Sequence, residues 1–372
     1  MRASRPAPRR VLVAPDSFKG SYTAVQAAAA LAEGWGSRRS HDDVTTLPQA
    51  DGGEGTIDAI AAVRPDAVVH WVDHVSGPDL RHGRARWLEL PEGTAVIELA
   101  ESSGLPSMRA PAPGRATSRG LGEVMAAALR FGVDRLLVGL GGSASTDGGG
   151  GALSGLGCRL LDGRGRPVRD GGLNLLDVAE VRLTGLVDPP VGGVELLCDT
   201  CAVLTGATGA ARVFGPQKGA NAAMVDLLDR ALTHWSEVLA RQLPTAPHQP
   251  GSGAAGGVGF GLAAWGAVLV PGAATVAALT GLDDALASAD ILLTGEGQYD
   301  LTSTTGKLVG DLTDRARGAG VTTIVVAGRV RVPSPPGVTV VDLTELAGST
   351  EAAMTDPGRW LRQAAAEVAS SL

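Results

Sequence analysis

The sequence contains few cysteines and few aromatic residues, and it lacks any long apolar run. Its 372 residues include three cysteines, and aromatic residues make up 3%. A small, odd number of cysteines supports no disulfide framework, so we predict a reducing, cytoplasmic location. Because no apolar run approaches the length of a membrane span, we expect no membrane partner. The net charge of −7 argues against nucleic acid as a partner, whereas a locally basic site can still bind a small anion.

Several motifs with well-understood chemistry are also missing. The chain has no Walker A sequence and no clean Gly-x-Gly-x-x-Gly after its first strand, and its six histidines form no metal-ligand pair at helical spacing. Cys198 and Cys201 form a C-x-x-C pair, but Cys198 ends an apolar run instead of beginning a helix, which disfavours redox or metal use. Residues 1–10 are basic and proline-rich without an apolar core, so they are predicted to be a disordered leader and not a signal peptide.

The abundant residues are glycine, with 53 copies, and the apolar residues that make up 44% of the chain. Strand-like runs alternate with helical patterns near both termini, which is typical of a parallel α/β sheet. Between them, the runs at 68–75, 83–90 and 94–99 follow one another through short turns, which indicates antiparallel pairing. We therefore predict an α/β fold with two domains. Residues 1–65 and 285–372 form a discontinuous first domain, and residues 66–284 form a second, mixed α/β domain inserted in it.

The central motif is the stretch 136–151, where an apolar strand runs into a glycine-rich turn and then into a helix-compatible segment. The turn contains a hydroxyl cluster at Ser143, Ser145 and Thr146, followed by Asp147. Backbone N–H groups at such a helix start can hold an anion, and glycine lets the backbone approach a phosphate closely. A flexible surface loop is the alternative.

Charged side chains follow the first two strands as well. Asp16, Ser17 and Lys19 come after the first strand, where ligands bind in open α/β sheets. Asp51 and Glu54 lie in a glycine turn after the second strand, and two carboxylates held so close favour a cation or a donor between them. The alternatives are a plain turn with a solvated lysine at the first position, and helix capping by Asp51 with Glu54 in the first helical turn at the second.

Three later segments repeat this pattern. Asp199 follows a short strand, and Arg212 and Lys218 lie among glycines, as an anion site requires, although two surface charges beside a turn are an alternative. A strand over 290–293 is predicted to enter an acidic glycine turn, from Thr294 to Asp300, that leads to Lys307 and a helix. Together these turns combine amides and lysines for phosphate with carboxylates for a metal ion or a proton, which is what phosphoryl transfer needs.

These motifs resemble the glycerate kinases of the first bacterial type, which make 2-phosphoglycerate from glycerate and ATP. The matching stretches are APDSFKG at 14–20, ADGGEGT at 50–56, GGSA at 141–144, DGG at 147–149, CD at 198–199, VFGPQKGA at 213–220, GAAGG at 253–257, TGEG at 294–297, Asp300, and GK at 306–307. They occur in the family's order and span most of the chain. The resemblance implies a flavodoxin-like domain, a second mixed α/β domain and an active site in the cleft between them.

The resemblance and the loop positions together suggest roles for these residues, with ATP and Mg²⁺ as cofactors. The expected catalytic residues are Lys19, Asp51 and Asp199, either aspartate being the base; the expected substrate ligands are Ser17, Glu54, Arg212, Lys218 and Gln298; the expected phosphate or nucleotide ligands are Gly141, Gly142, Ser143, Asp147 and Lys307; and the expected metal ligands are Glu296 and Asp300. The expected partners are ATP and a small hydroxy acid or polyol, and the expected assembly is a monomer or a homodimer.

Three departures from the family pattern concern the acceptor. The family's Asn-Pro pair after Asp199 is replaced by Ala202 and Val203, Gln298 stands where the family has arginine, and Leu301 follows Asp300 where glutamine is common. Glutamine lacks the charge and the bidentate geometry of arginine. The alternatives are therefore a diverged kinase for another hydroxy acid or polyol, an inactive homologue that binds a sugar acid, and a nicotinamide enzyme.

Overall fold

The computed structural model describes residues 7–304 and 307–372. The strands are β1 (Arg10–Val13), β2 (Asp43–Thr46), β3 (Val68–Ser76), β4 (His82–Leu90), β5 (Thr94–Glu98), β6 (Arg135–Gly139), β7 (Arg159–Leu161), β8 (Glu180–Arg182), β9 (Val194–Leu197), β10 (Val268–Val270), β11 (Ile291–Tyr299), β12 (Thr322–Val330) and β13 (Val338–Asp342). The helices are α1 (Ala24–Gly36), α2 (Thr56–Val63), α3 (Leu99–Ser103), α4 (Arg119–Phe131), α5 (Gly150–Gly155), α6 (Ala210–Phe214), α7 (Ala222–Leu239), α8 (Ala254–Ala264), α9 (Gly272–Thr280), α10 (Leu282–Ala287), α11 (Leu308–Gly318), α12 (Leu343–Ala347), α13 (Thr350–Thr355) and α14 (Pro357–Ser371).

The chain divides into two compact units. The first contains the chain up to Asp51, Asp58–Pro65 and Ala273–Leu372, and the second contains Gly52–Ile57 and Asp66–Gly272. The predicted second domain also contained residues 273–284, which this division places in the first unit. Among the described residues, no helix has the length and apolar character needed to cross a bilayer.

The first unit contains a parallel sheet with the strand order β13-β12-β11-β1-β2. Counted within this unit, that order is 2-1-3-4-5, the flavodoxin-like arrangement, in which the direction of winding reverses between β1 and β11. Successive strand residues point to opposite faces, so Val11 and Val13 pack on the side of α1 and α14, while Leu12 packs on the side of α9, α10 and α11. Both faces are covered, as a parallel sheet requires.

Local sequence signals explain how α1 begins and how it meets α14. The side chain of Thr23 accepts a hydrogen bond from the backbone N–H of Gln26, and the side chain of Gln26 accepts one from the backbone N–H of Thr23. These two bonds form a capping box. Gly34 then faces the backbone of α14, where a Cβ atom would lie 2.2 Å from the carbonyl oxygen of Arg362. Glycine is therefore required at this helix crossing.

The second unit contains a mixed sheet with the strand order β10-β9-β6-β5-β4-β3. The predicted antiparallel pairing of β3, β4 and β5 is confirmed, and the remaining strands of this sheet pair in parallel. Its apolar core includes the inner face of α7, where Leu228, Leu232 and Trp235 are fully buried. The carboxyl ends of β5, β6 and β9 lie along one edge of this sheet, because these three strands are parallel.

Three segments differ from the sequence predictions. Arg10 is not part of a disordered leader but begins β1 and pairs with Asp290, while residues 1–6 lie outside the described part. The predicted turn after Leu293 is instead a continuation of β11 to Tyr299, because Glu296, Gln298 and Tyr299 pair with β12. The glycine-rich sequence of residues 251–257 is typical of a loop, but it runs into helix α8, whose start is kinked at three residues with positive φ, Ala255, Gly256 and Gly257.

Candidate functional site

In the first unit, Asp16 lies at the sheet edge where the winding direction reverses. Its backbone N–H donates to the carbonyl oxygen of Gly295 at 2.8 Å, which ties the segment after β1 to β11. Its carboxylate accepts a hydrogen bond of 2.6 Å from the backbone N–H of Ser17. The carboxyl edge at such a reversal is where ligands bind in open α/β sheets, so this geometry defines a candidate site.

Two carboxylic acids at this edge have strongly raised pKa values. Burial and the nearby Asp51 carboxylate raise the pKa of Asp16 to about 7, against the opposing effects of the Ser17 N–H and the exposed Lys19. Burial also raises the pKa of Glu296 to about 7, although a hydrogen bond with Ser303 and the charges of Lys307 and Lys19 oppose the shift. Within the described part of the chain, Oε1 of Glu296 is buried and has no hydrogen-bond partner. Near neutral pH this edge can therefore hold or release a proton.

The two predicted metal ligands, Glu296 and Asp300, differ in the hydrogen bonds that their carboxylate oxygens accept. Asp300 accepts hydrogen bonds from the backbone N–H and the hydroxyl of Thr302 and from the side-chain amide of Gln298, and these bonds lower its pKa to about 2. No group of three or more His, Cys, Asp or Glu side chains among the described residues is arranged to hold a metal ion. Mg²⁺ is commonly bound by one or two carboxylates together with phosphates and water. Oε1 of Glu296, which has no hydrogen-bond partner among the described residues, fits that role. Both carboxylate oxygens of Asp300 already accept hydrogen bonds, so Asp300 fits it less well.

The glycine-rich loop of the second unit surrounds a buried lysine. Lys218 is 3% exposed, and its Nζ donates to the carbonyl oxygen of Ser145. Burial lowers the pKa of Lys218 to about 8, although the nearby Asp147 carboxylate opposes the shift. Ser143 is also buried, and its hydroxyl lies 3.2 Å from the carbonyl oxygen of Ala255. A cation thus lies directly behind the loop that was predicted to bind phosphate.

Asp147 faces the protein interior. Its carboxylate accepts hydrogen bonds from the backbone N–H and hydroxyl of Ser118, from the hydroxyl of Ser145 and from the backbone N–H of Gly151. Burial raises its pKa, while the hydrogen bonds from Ser118 and Ser145 oppose that shift. These contacts connect the glycine-rich loop to the first turns of α4 and α5. The geometry therefore favours a role in holding the loop over direct contact with a phosphate.

Glu98 organises the turn that carries Glu54. It is 3% exposed, and its two carboxylate oxygens accept the backbone N–H groups of Gly55, at 2.6 Å, and Ile57, at 3.1 Å. These donors belong to the start of α2, so Glu98 caps this helix. Gly141 meets the same turn, because a Cβ atom there would lie 2.3 Å from Cα of Gly53. Glu54 itself is exposed.

The remaining predicted residues of the second unit lie at its surface. Asp199 is exposed, and one of its oxygens accepts the backbone N–H of Gly272, at 2.8 Å, where α9 begins. Arg212 is exposed and pairs with Asp226 at 3.0 Å, which corresponds to the alternative of a surface charge. Cys198 and Cys201 are free thiols, and burial raises the pKa of Cys198.

The predicted residues thus fall into two groups, one in each unit. The first unit places Ser17, Lys19 and Asp51 around Asp16 and Glu296. Lys307 is the N-cap residue of α11 in the same unit, and Gly306 lies outside the described residues.

The second group consists of Gly141, Gly142, Ser143, Asp147 and Lys218. The glycine-rich loop also contacts Gly52 and Gly53, so the turn that carries Glu54 belongs to this group. Sequence reasoning did not assign a role to Asp16 or Glu98. The sequence carries a signal for each of them, because Asp16 follows the first strand and Glu98 lies at the end of an apolar run.

Comparison with known proteins shows to which family the chain is similar. A family model described as the glycerate kinase family matches residues 11–372. A glycerate kinase of Bacillus subtilis (strain 168) is 38% identical over 328 residues, which cover 86% of this chain and 85% of that protein. A glycerate 2-kinase of Escherichia coli (strain K12) is 38% identical over 307 residues, which cover 80% of both chains. The crystal structure of a candidate glycerate kinase 2 from Salmonella typhimurium LT2 matches with a TM-score of 0.80 and 33% identity, covering 98% of both chains.

The protein is a kinase with an α/β fold, a phosphotransferase that acts on an alcohol group. The chain belongs to the glycerate kinase family.

Proposed function

We propose that this protein transfers the γ-phosphoryl group of ATP to the 2-hydroxyl group of glycerate, giving 2-phosphoglycerate and ADP. The names of its relatives support glycerate as the acceptor. The observation that carries the proposal is the pair of raised-pKa carboxylates, Asp16 and Glu296, with Lys19 beside them at the sheet edge where ligands bind. This edge offers a proton acceptor, a carboxylate oxygen without a partner and a cation.

Asp16 and Asp51 are proposed to remove the proton of the acceptor hydroxyl. The Asp51 carboxylate is close enough to raise the pKa of Asp16, so both side chains can face the same acceptor hydroxyl group. A base with a pKa near the working pH combines a useful ionised fraction with the ability to accept a proton. Asp199 is the other predicted base, and unchanged turnover in Asp199→Ala would exclude it.

The phosphate groups are proposed to bind to cations and to the glycine-rich loop. Lys19 supplies charge at the first unit's edge, while Gly141, Gly142 and Ser143 offer close backbone approach in the second unit. Lys218 adds a positive charge from behind that loop, and Asp147 keeps the loop in shape. Phosphoryl transfer depends mainly on such positioning and charge neutralisation.

Magnesium is proposed to bind together with ATP, and Glu296 would be its protein ligand, because Oε1 of Glu296 is buried without a hydrogen-bond partner. A bound Mg²⁺ would neutralise charge on the phosphate oxygens. Lys307 opposes the raised pKa of Glu296, so it favours the ionised form that binds a cation.

The deciding experiment measures ADP release from magnesium-ATP with D-glycerate, L-glycerate and a panel of small hydroxy acids and polyols. Phosphorus NMR of the product identifies the phosphorylated carbon. Efficient formation of 2-phosphoglycerate is the expected result. Turnover of another acceptor without glycerate turnover would favour the diverged kinase, for which Gln298 in place of arginine is the specific observation. ATP binding without turnover of any acceptor would favour an inactive homologue.

Replacing Lys218 with methionine is expected to lower kcat/KM for ATP by about 10- to 100-fold, the effect of losing one charge-assisted interaction. Methionine keeps much of the apolar stem but removes the amine that donates to the Ser145 carbonyl oxygen. Steady-state kinetics and a thermal unfolding curve, measured on the same sample, separate binding from folding. Arg230→Met, on an exposed position of α7, is the control. A folded Lys218→Met variant with wild-type constants for ATP would exclude this role.

A further inference from the structure

Arg329 of the first unit lies beside the candidate site, and its side chain has no hydrogen-bond or ion-pair partner among the described residues. Arg329 is on β12 and pairs in register with Gln298 of β11, and Ala327 on the same strand pairs with Glu296. Because β11 and β12 are parallel, these residues lie toward the same carboxyl edge of the sheet. Paired positions on neighbouring strands are about 5 Å apart. Arg329 therefore lies on the strand next to β11, close to the sheet edge that carries Glu296 and Asp16.

The side chains at these positions share a face of the sheet. Residues two apart along a strand point to the same side, so Glu296 and Gln298 lie on one face of β11. Residues paired in register on a parallel neighbour point to that side as well, which places Ala327 and Arg329 there. Alanine is small, so the space beside Glu296 is not filled by a long side chain on β12.

The guanidinium of Arg329 is exposed, and it forms no hydrogen bond or ion pair with the side chains or backbone of the residues described. Several other arginines of the first unit are paired, including Arg10 with Asp290 and Arg315 with Asp283 and Asp311. The neighbouring Gln298 donates a hydrogen bond from its side-chain amide to Asp300, and Thr302 also donates to Asp300. The hydrogen bonds of Asp300 are thus made with residues close to it in the chain. Arg329 thus keeps its charge and its donors available to a ligand.

We propose that Arg329 binds the carboxylate group of the acceptor. This proposal rests on the proposed function and makes the acceptor a hydroxy acid instead of a polyol. A guanidinium binds a carboxylate through two parallel hydrogen bonds, a geometry that an amide or an ammonium group cannot reproduce. Arg329 therefore supplies the cation that position 298 lacks, and it holds the acid end of the acceptor next to the carboxylates that handle its hydroxyl proton.

The test compares Arg329→Gln, Arg329→Lys and the wild type in glycerate and ATP titrations. Arg329→Gln is expected to raise KM for glycerate by about 10- to 100-fold, with KM for ATP changed less than about twofold, because only the acceptor loses a charge-assisted contact. Arg329→Lys is expected to recover part of the loss, since the charge remains without the planar fork. The matched control is Arg331→Gln, an exposed arginine just beyond the end of β12.

The outcomes separate this inference from the proposed function. If the wild type turns over glycerate and Arg329→Gln keeps the wild-type KM for glycerate, the inference is overturned while the function stands. If the wild type does not turn over glycerate, the proposed function fails. Titration calorimetry with glycerate alone then tests whether Arg329 contacts the carboxylate group. Binding to the wild type that is weakened in Arg329→Gln but not in Arg331→Gln would support the carboxylate contact. Equal binding to all three proteins, or no binding to the wild type, would overturn it.

Discussion

Replacing Asp16 with asparagine is expected to lower kcat by about 10²- to 10⁴-fold, the contribution typical of a positioned general base. Asparagine keeps the size of the side chain and can still accept a hydrogen bond from the Ser17 N–H through its carbonyl oxygen. It cannot accept the proton of the acceptor hydroxyl. The loss is therefore expected in kcat, and the thermal unfolding midpoint is expected to change little.

The pH dependence of the wild-type enzyme tests the same base. Burial and Asp51 raise the pKa of Asp16 to about 7, and a base must be ionised to act. The rate is therefore expected to be lost as the pH falls through about 7 and to be retained above it. Glu296, whose pKa is also about 7, contributes to the same limb, so the measured value belongs to the cluster. A rate that stays constant from pH 5 to pH 8 would be incompatible with these assignments.

The control for Asp16→Asn is Asp284→Asn, which removes an exposed carboxylate from α10 of the same unit. This variant is expected to keep the wild-type kcat. If Asp16→Asn is folded and also keeps the wild-type kcat, Asp16 does not accept the proton. The same measurement on Asp51→Asn then shows whether the other carboxylate of the pair does.

Replacing Asp147 with alanine is expected to lower the free energy of unfolding by about 3 kcal/mol or more, since each buried donor left without an acceptor costs about 1–3 kcal/mol. The donors are the backbone N–H groups of Ser118 and Gly151 and the hydroxyls of Ser118 and Ser145. Hydroxyls can turn toward other acceptors, but the two backbone N–H groups have fixed directions. Chemical unfolding followed by circular dichroism measures the change.

Asp162 provides a matched control for Asp147. Its carboxylate also accepts several hydrogen bonds, from the backbone of Arg164 and from the backbone and side chain of Arg166, but these donors are exposed. Water can replace the lost acceptor there, so Asp162→Ala is expected to cost about 0.5 kcal/mol or less. Similar losses in the two variants would contradict the structural role of Asp147. Asp147→Asn, which keeps one acceptor oxygen, then tests in kinetic assays whether the ATP site is affected.

Much of the fold could be predicted from the sequence because its signals are local. The Thr23 and Gln26 capping box, the inner face of α7 and the antiparallel run of β3, β4 and β5 are each encoded by residues close together in the chain. The extension of β11 through Gln298 could not be predicted in this way. Its glycines and charges are typical of a turn, and only hydrogen bonding to β12 makes that segment a strand.

The same distinction applies to the candidate site. By itself, the sequence determined the strand ends that carry glycines and charges, and hence the kind of chemistry, because turn and strand preferences act over a few residues. Only the tertiary structure decided which of these groups are buried and what each one faces. Glu98 caps α2 by accepting the backbone N–H of Ile57, 41 residues earlier, Asp147 is enclosed by α4 and α5, and Arg329 lies beside Gln298. Each of these relations depends on strand register and packing between distant segments, which no local pattern encodes.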